Sequence, residues 1–210
     1  MTSLKRAALA ASFVFLAASH AAAGGFGVTA DGSFRTMSNS PDTEKAIFDT
    51  KGAFSGGFGL TWDLNDRWRF GIEGRQVSRD GERAFALDAA SPAFRLGHPL
   101  KFKMTQVLAT GTFSFGKLGP VTPYVTVGAG QVSWKETSTI AGLTESASGS
   151  SALFEARVGF ERRLGRVRIG LEGGMALAPG AVGAGGISQV YGEKDIGGLF
   201  GGLRLSFGGR

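Results

Sequence analysis

Large apolar side chains recur at every second position along eight segments of this chain. In residues 53–64, every large apolar side chain from Phe54 to Leu64 has one parity, and Ser55, Thr61 and Asp63 have the other. Successive side chains of a β-strand point to opposite faces, so this alternation predicts strands with one apolar and one polar face. The eight segments are 25–36, 53–64, 68–78, 100–115, 124–135, 152–164, 167–178 and 196–207.

The connections between these segments are alternately short and long. The short connections are 65–67, 116–123 and 165–166, and the long connections are 37–52, 79–99, 136–151 and 179–195. Antiparallel strands with all long loops at one end and all short turns at the other are typical of outer-membrane barrels. The sequence therefore predicts an all-β fold, an eight-stranded antiparallel transmembrane up-and-down β-barrel with long extracellular loops and short periplasmic turns.

The polar faces of the predicted strands carry acidic and basic side chains in equal number. Such a balance also occurs on solvated surfaces, which is the alternative interpretation. Inside a narrow barrel the balance is required, because a buried charge without a partner costs several kcal/mol. The predicted lumen charge network comprises Asp31, Arg35, Asp63, Arg69, Glu73, Arg75, Glu155, Arg157, Glu161, Arg168, Glu172 and Arg204.

The apolar faces carry aromatic residues near both ends of the strands, which predicts contact with lipid between two aromatic girdles. The expected girdle at the short turns is Trp62, Trp68, Phe70, Phe113, Phe115, Phe160 and Phe207. The expected girdle at the long loops is Phe34, Phe54, Phe102, Trp134 and Phe154.

Glycine accounts for 35 of the 210 residues, and its placement suggests a packing role. A symmetric turn at 65–67 would place Asp63 opposite Arg69, and a two-residue hairpin at 165–166 would place Glu161 opposite Gly170. The same registers set glycines opposite long charged side chains, where a narrow lumen needs space. The expected pairs are Gly57 with Arg75, Gly59 with Glu73, Gly159 with Glu172 and Gly174 with Arg157.

Two segments are ambiguous. The alternation changes phase within 100–115, which predicts a β-bulge near Met104, and in 124–135 the outward parity is undecided.

Lys101 and Lys103 lie toward the long-loop end of their strand, where they can reach lipopolysaccharide phosphates. Lysines on a solvated rim are the equally weighted alternative.

The first residues are typical of an export signal. Lys5 and Arg6 precede an apolar run that ends in Ala21-Ala22-Ala23, so we expect a cleaved signal peptide over 1–23 and a barrel domain over 24–210. The net charge of +6 falls to +4 once Lys5 and Arg6 are removed, an excess too diffuse to suggest a nucleic-acid partner. With no cysteine, the chain has neither a disulfide framework nor a thiolate metal site.

Candidate catalytic residues are few. His98 with Ser91 and Asp88 is the one set that resembles a hydrolase or acyltransferase site, and loop residues of these types are common without catalysis. Residues 111–117 match a phosphate-binding loop except for the final hydroxyl residue, but they lie along a predicted strand. The glycine-rich stretch 180–186 is interpreted as a loop. We expect no metal, no cofactor and no enzymatic activity.

The signal peptide, the eight amphipathic runs, the PYVTVGAG segment and the closing LFGGLRLSF resemble the small bacterial outer-membrane β-barrel proteins. That family includes the transmembrane domain of outer membrane protein A, the X and W proteins and the opacity adhesins. The resemblance implies an outer-membrane location and an assembly signal for the outer-membrane assembly machinery, carried by Gly202, Leu205 and Phe207. Family members usually end on the aromatic residue, whereas Gly208-Gly209-Arg210 follow it here.

Three functional interpretations follow from the sequence. The leading one is a non-enzymatic outer-membrane barrel with a plugged lumen, which serves envelope integrity, adhesion or surface interaction through its four long loops. The second is a narrow porin or channel for small or hydrophobic compounds, which the resemblance to the W proteins implies. The third is a lipid A-modifying enzyme.

Overall fold

The computed structural model of the protein describes residues 25–48, 52–140 and 142–209. The predicted signal peptide lies outside these residues and stays a prediction. Among the described residues, no helix is long and apolar enough to cross a bilayer.

Eight antiparallel strands form a closed ring, in which each strand pairs with the next and the last pairs with the first. The predicted eight-stranded antiparallel barrel is thereby confirmed. The elements are β1 (Phe26–Arg35), α1 (Pro41–Ile47), β2 (Ala53–Asp63), β3 (Trp68–Phe85), β4 (Phe94–Ser114), β5 (Thr122–Ile140), β6 (Leu143–Leu164), β7 (Val167–Leu177), α2 (Gly186–Val190) and β8 (Gly198–Gly208).

The two ends of the barrel differ. We call the end with connections 64–67, 115–121 and 165–166 the turn end, and the opposite end the loop end. Two predicted loops are mostly strand: β3 and β4 continue through much of 79–99, and β5 and β6 pair up to Ile140 and Leu143. The alternation missed these extensions because residues such as 144–151 are small or polar on both faces, whereas ladder hydrogen bonds need no apolar face.

The predicted bulge near Met104 is wrong. Pairing of β4 with β5 runs without interruption from Leu100 to Ser114, and the irregularity with β3 lies at Glu82 and Ala84 instead. Leu100 and Met104 point inward with Gln106, while Lys101 and Lys103 point outward and are exposed. The hydrophobic pattern reverses because the barrel interior is apolar near the loop end and charged below it, although the backbone stays regular.

The undecided phase of 124–135 is resolved by burial. Tyr124, Thr126 and Val132 are buried inside the barrel, and Val127 is exposed on the outside. Trp134 shares the inward parity, and Phe102 is buried in the interior, so both were wrongly assigned to the outer aromatic girdle.

The outer wall carries a wide belt of exposed apolar side chains. Phe58, Leu60 and Ile72 are 60%, 63% and 63% exposed, and Val158 on the far side is 65% exposed. Trp62, Trp68, Phe70 and Phe160 edge this belt at the turn end. A soluble monomer rarely exposes so large a continuous apolar surface, so the belt is the lipid-facing wall of a transmembrane barrel.

Candidate functional site

All twelve predicted network residues lie on the inward-facing parity of their strands, and their ion pairs fall into two groups. The turn-end cluster contains Asp63, Arg69, Glu161 and Arg168. Arg69 Nε lies 2.9 Å from Asp63 Oδ1 and its Nη2 lies 2.8 Å from Glu161 Oε1, while Arg168 also pairs with Asp63. Two acids meet two bases, so this cluster is neutral by itself.

The central cluster contains the other eight charges: Asp31, Arg35, Glu73, Arg75, Glu155, Arg157, Glu172 and Arg204. Glu73 is its hub, since its carboxylate accepts hydrogen bonds of 2.7 Å each from Arg75, Arg157 and Arg204. The Glu73 side chain is 1% exposed. With four acids and four bases, the central cluster is also neutral. The overall charge balance could be predicted from the strand faces, but its division into two neutral layers could not.

Arg75 and Glu155 connect the hub to the rest of the central cluster. Arg75 Nη1 donates to both carboxylate oxygens of Glu155, at 2.7 and 2.8 Å. Glu155 also accepts a 2.7 Å hydrogen bond from Arg35, and Arg157 reaches Glu172 at 3.1 Å. Each carboxylate therefore contacts at least one guanidinium, which is the condition under which buried charges are tolerated.

Glycine lets charged side chains meet across an intervening strand. Asp31, Gly57 and Arg75 are aligned on β1, β2 and β3, and Arg75 Nε lies 3.0 Å from Asp31 Oδ2 above Gly57. A Cβ on Gly57 would lie 2.5 Å from Arg75 Cγ and 2.7 Å from Asp31 Oδ1. The expected pairing of Gly57 with Arg75 is confirmed, and its role is to leave the space that this ion pair occupies.

The same arrangement occurs on the opposite wall. Tyr124, Gly159 and Glu172 are aligned on β5, β6 and β7, and the Tyr124 hydroxyl donates a 2.9 Å hydrogen bond to Glu172 Oε2. A Cβ on Gly159 would lie 2.6 Å from Tyr124 Cζ. Tyr124 was missed at the sequence level because the phase of its strand was undecided.

Two cavities flank the central cluster. The turn-end cavity, about 340 Å³, is lined by the turn-end cluster together with turn residues such as Arg67 and Lys117. The loop-end cavity, about 510 Å³, is lined mainly by residues of the two helices, 180–186 and the outer parts of β3 to β6. None of the eight central-cluster residues lines either cavity.

Residues 37–48 of the first long loop fold into the barrel mouth and form one wall of the loop-end cavity. The buried Glu44 carboxylate on α1 accepts hydrogen bonds from the backbone of Met37 and Gly52 at 3.2 and 2.8 Å, and from Arg79 at 2.8 Å. Phe48 packs edge-on against Phe102. These contacts fix α1 over the apolar interior.

The opposite wall of the loop-end cavity contains Trp134 and Glu136. The Trp134 indole donates a 2.7 Å hydrogen bond to the backbone oxygen of Ala181 and stacks near Phe102. Burial raises the pKa of Glu136, an effect opposed by the nearby Arg83 cation. Arg83 itself pairs with Glu145.

The candidate catalytic residues lie in separate local structures. Asp88 Oδ1 accepts hydrogen bonds from the Ser91 amide at 2.7 Å and the Ser91 hydroxyl at 2.8 Å, which stabilises the tip turn and lowers the pKa of Asp88. His98 lies within strand β4. Within residues 25–48, 52–140 and 142–209, no group of His, Asp and Glu is arranged to hold a metal.

The surface charges are unevenly distributed. Lys101 and Lys103 face outward toward the loop end, and Lys135 is opposite Lys103 on β5. The loop end nonetheless carries similar numbers of acids and bases, whereas Asp66 is the single acid of the described turn-end rim. The rim cations are Arg67, Lys117, Arg162, Arg163 and Arg166. The net positive charge that looked diffuse in the sequence is therefore concentrated at the turn end.

The predicted assembly signal lies on β8. Leu205 faces the exterior, 51% exposed, and Phe207 pairs with Val28 of β1. Gly202 faces the interior, where a Cβ would lie 2.3 Å from the backbone oxygen of Gly32. The strand continues to Gly208, and the amide of Gly209 donates to Phe26 O at 2.8 Å, so Gly208 and Gly209 fold against the turn end.

Solved structures similar to this chain are outer-membrane barrels. Neisserial surface protein A matches with a TM-score of 0.54 and 16% identity, over 88% of this chain and 97% of that one. Ail, the attachment invasion locus protein of Yersinia pestis, solved with the heparin analogue sucrose octasulfate, matches with a TM-score of 0.51 and 15% identity, over 88% and 99%. No family model and no curated protein matches the sequence. These likenesses establish the eight-stranded outer-membrane barrel fold.

Proposed function

We propose that this protein is a non-enzymatic β-barrel of a bacterial outer membrane, with a closed lumen and a surface role exerted through its loop end. The lipid-facing belt and the fold support the location, with the loop end outside the cell and the turn end in the periplasm. The observation that carries the proposal is the central cluster, whose Glu73, Arg75, Arg157 and Glu155 side chains are each 1% exposed.

A closed lumen follows from the connectivity of this cluster. Arg75 alone contacts Asp31, Glu73 and Glu155, which lie on β1, β3 and β6. A passing ion would have to separate these partners, and breaking one buried pair costs about 3–5 kcal/mol. The competing proposal is a narrow channel, in which the same charges would line an open path.

Conductance in a planar bilayer separates these two functions. We expect the wild-type protein to show no steady polar conductance, and Arg75→Ala to introduce one by emptying the centre of the cluster. Glu145→Gln, which changes an exposed carboxylate at the loop end, is the matched control and should stay closed. A large wild-type conductance that changes when Glu73 or Arg75 is replaced would favour the channel instead.

The surface role includes contact with lipopolysaccharide through Lys101 and Lys103, with Lys135 adjoining them. The Ail structure supports this proposal only in that a barrel of this fold has been solved with a sulfated ligand, sucrose octasulfate. We expect Lys101→Gln/Lys103→Gln to retain less lipopolysaccharide after purification than Lys117→Gln, which changes a turn-end lysine. Equal retention of lipopolysaccharide by the two variants would indicate merely solvated rim lysines.

Gly202, Leu205 and Phe207 are proposed as the recognition signal for the outer-membrane assembly machinery. Phe207→Ala should lower the amount of folded protein in the outer membrane more than Phe160→Ala, which removes an aromatic residue at the same end of β6. Equal losses would show that the effect comes from the aromatic girdle.

The lipid A-modifying alternative is tested by His98→Ala, which we expect to leave the mass of lipid A unchanged.

A further inference from the structure

The loop-end cavity has the size and lining of a small-molecule site. Its volume of about 510 Å³ lies within the range of ligand pockets, about 300–1,000 Å³. Its apolar wall is formed by side chains of α1, of the residue that follows α1, and of strands β4 and β5. They are Ile47, Phe48, Leu100, Phe102 and Trp134. Such convergent aromatic side chains bind the apolar part of a ligand.

Two mostly exposed segments along the edges of the cavity consist mainly of small residues. Gly180 to Gly186 form one edge, and Ala147, Ser148, Gly149 and Ser150 of β6 form the other. A Cβ on Gly149 would lie 2.8 Å from the Trp134 indole nitrogen, so the absence of a side chain there lets the indole occupy the cavity wall. Compact side chains along both edges leave the interior accessible from outside the cell.

Glu136 gives this mainly apolar cavity a carboxylate, and Arg83 is the one cation among its lining residues. No hydrogen bond or ion pair among the described residues engages its carboxylate, and the neighbouring Arg83 is paired with Glu145. Burial raises the pKa of Glu136, since a carboxylate with few partners is poorly solvated there. A ligand that donates a charge-assisted hydrogen bond would satisfy the carboxylate.

We propose that the loop-end cavity binds a small, mainly apolar amine, with its ammonium group at Glu136 and its apolar body against Trp134, Phe48 and Phe102. The face of Trp134 adds a cation–π contact for the same ammonium group. The proposal rests on the proposed function only for the cavity being open to the cell exterior. Neutral alcohols of the same shape fill the cavity without the ionic contact, and carboxylates are repelled.

The sequence allows a direct optical test. Of the three tryptophans, Trp62 and Trp68 lie on the outer wall, so Trp62→Phe/Trp68→Phe leaves Trp134 as the only tryptophan, which is excited selectively near the red edge of indole absorption. The full chain is inserted in nanodiscs and titrated with 4-bromobenzylamine, whose bromine quenches indole fluorescence. Titrations with 4-bromobenzyl alcohol and 4-bromobenzoate keep the body and change the polar group.

We expect saturable quenching by the amine, with an affinity roughly 10- to 100-fold above that of the alcohol, which is the usual range for a hydrogen bond to a charged group. Glu136→Gln should lower the amine affinity to the alcohol level and leave the alcohol unchanged. Asp88→Asn, which alters an exposed loop-tip carboxylate, is the control and should change neither affinity. Ala147→Phe, which fills the cavity, should weaken binding of both probes.

Equal quenching by all three probes, or quenching that rises linearly with concentration, would overturn the proposal because it indicates partition into lipid. An unchanged amine affinity in Glu136→Gln would also overturn it. The two proposals can fail separately. If a non-conducting protein does not bind the amine, the ligand site is refuted and the closed lumen stands. If the wild-type protein conducts, the closed lumen is refuted, and the amine titration still decides whether the ligand site exists.

Discussion

Gly56 and Gly57 are neighbours on β2 that face opposite sides of the barrel wall, so alanine at each position tests the role of the interior glycines. At Gly57 a new Cβ would lie 2.5 Å from Arg75 Cγ, 2.7 Å from Asp31 Oδ1 and 2.8 Å from the backbone oxygen of Gly74. At Gly56 the nearest atom would be the backbone oxygen of Asp31, at 4.0 Å. The two substitutions are chemically identical, and only the space around them differs.

The expected free energies of unfolding follow from these distances. Alanine at Gly56 should stabilise the protein by about 0.4–1 kcal/mol, because it reduces the entropy of the unfolded chain without a clash. Alanine at Gly57 must displace Arg75 or Asp31, and overpacking of this kind costs about 1–3 kcal/mol. Because the carbonyl of Gly74 is fixed in the sheet, the methyl group cannot avoid the contact. We expect the two variants to differ by about 1.4–4 kcal/mol.

Urea unfolding in lipid vesicles measures this difference. Folded barrels of this type migrate faster on gels than boiled ones, so the folded fraction can be determined by gel migration at each urea concentration. The midpoint for Gly57→Ala should fall below wild type and that for Gly56→Ala should equal or exceed it. Adding Asp31→Ala removes one clashing atom, so Gly57→Ala should cost less in that background. Equal midpoints for the two single variants would refute the packing role of Gly57.

Three further outcomes can be checked. Glu73→Gln should destabilise the barrel by about 3–5 kcal/mol in the same urea assay, because three arginines lose the charge of their shared acceptor; Glu145→Gln should have little effect, and equal losses would contradict the hub role. Tyr124→Phe should cost about 1.5–3 kcal/mol through the lost hydrogen bond to Glu172, and an unchanged midpoint would show that Arg157 and Arg204 satisfy Glu172 alone. Single cysteines at 100–104 in this cysteine-free chain should react with a water-soluble maleimide at 101 and 103 and resist it at 100, 102 and 104, whereas a bulge near Met104 would break that alternation.

The alternation of side chains was sufficient to predict the strand number, the antiparallel order and the registers that pair Asp63 with Arg69 and Glu161 with Gly170. The lengths of the turns and the two-residue repeat of side chains along a strand together determine these registers. Both can be recognised in the local sequence. The alternation misleads where the barrel interior changes from charged to apolar along the barrel axis. At Leu100, Phe102 and Trp134 the inward side chains are apolar, and a pattern based on a polar lumen assigned a bulge or an outer position.

The residues of the candidate site could be predicted to a similar extent. The twelve charges could be assigned to one face, but the partners of Glu73 come from three different strands, and pairwise registers do not give distances across a lumen. Glu136 and Trp134 were not recognised as neighbours of the first loop and of 180–186, because loop folding over the mouth has no periodic signal. The concentration of cations at the turn end could not be predicted from the net charge, because a total charge does not say where the charged residues lie in the fold.

The contacts across Gly57 and Gly159 also have a mechanical consequence. Backbone hydrogen bonds join each strand to its immediate neighbour, while Arg75 with Asp31, and Tyr124 with Glu172, join strands that are two apart. These contacts oppose the sliding of one strand past the next. A strand that slipped by two residues would keep its inward and outward faces, but the contacts that pass over it would lose their alignment. The glycines thus help select one register from several that hydrophobic patterning alone would accept.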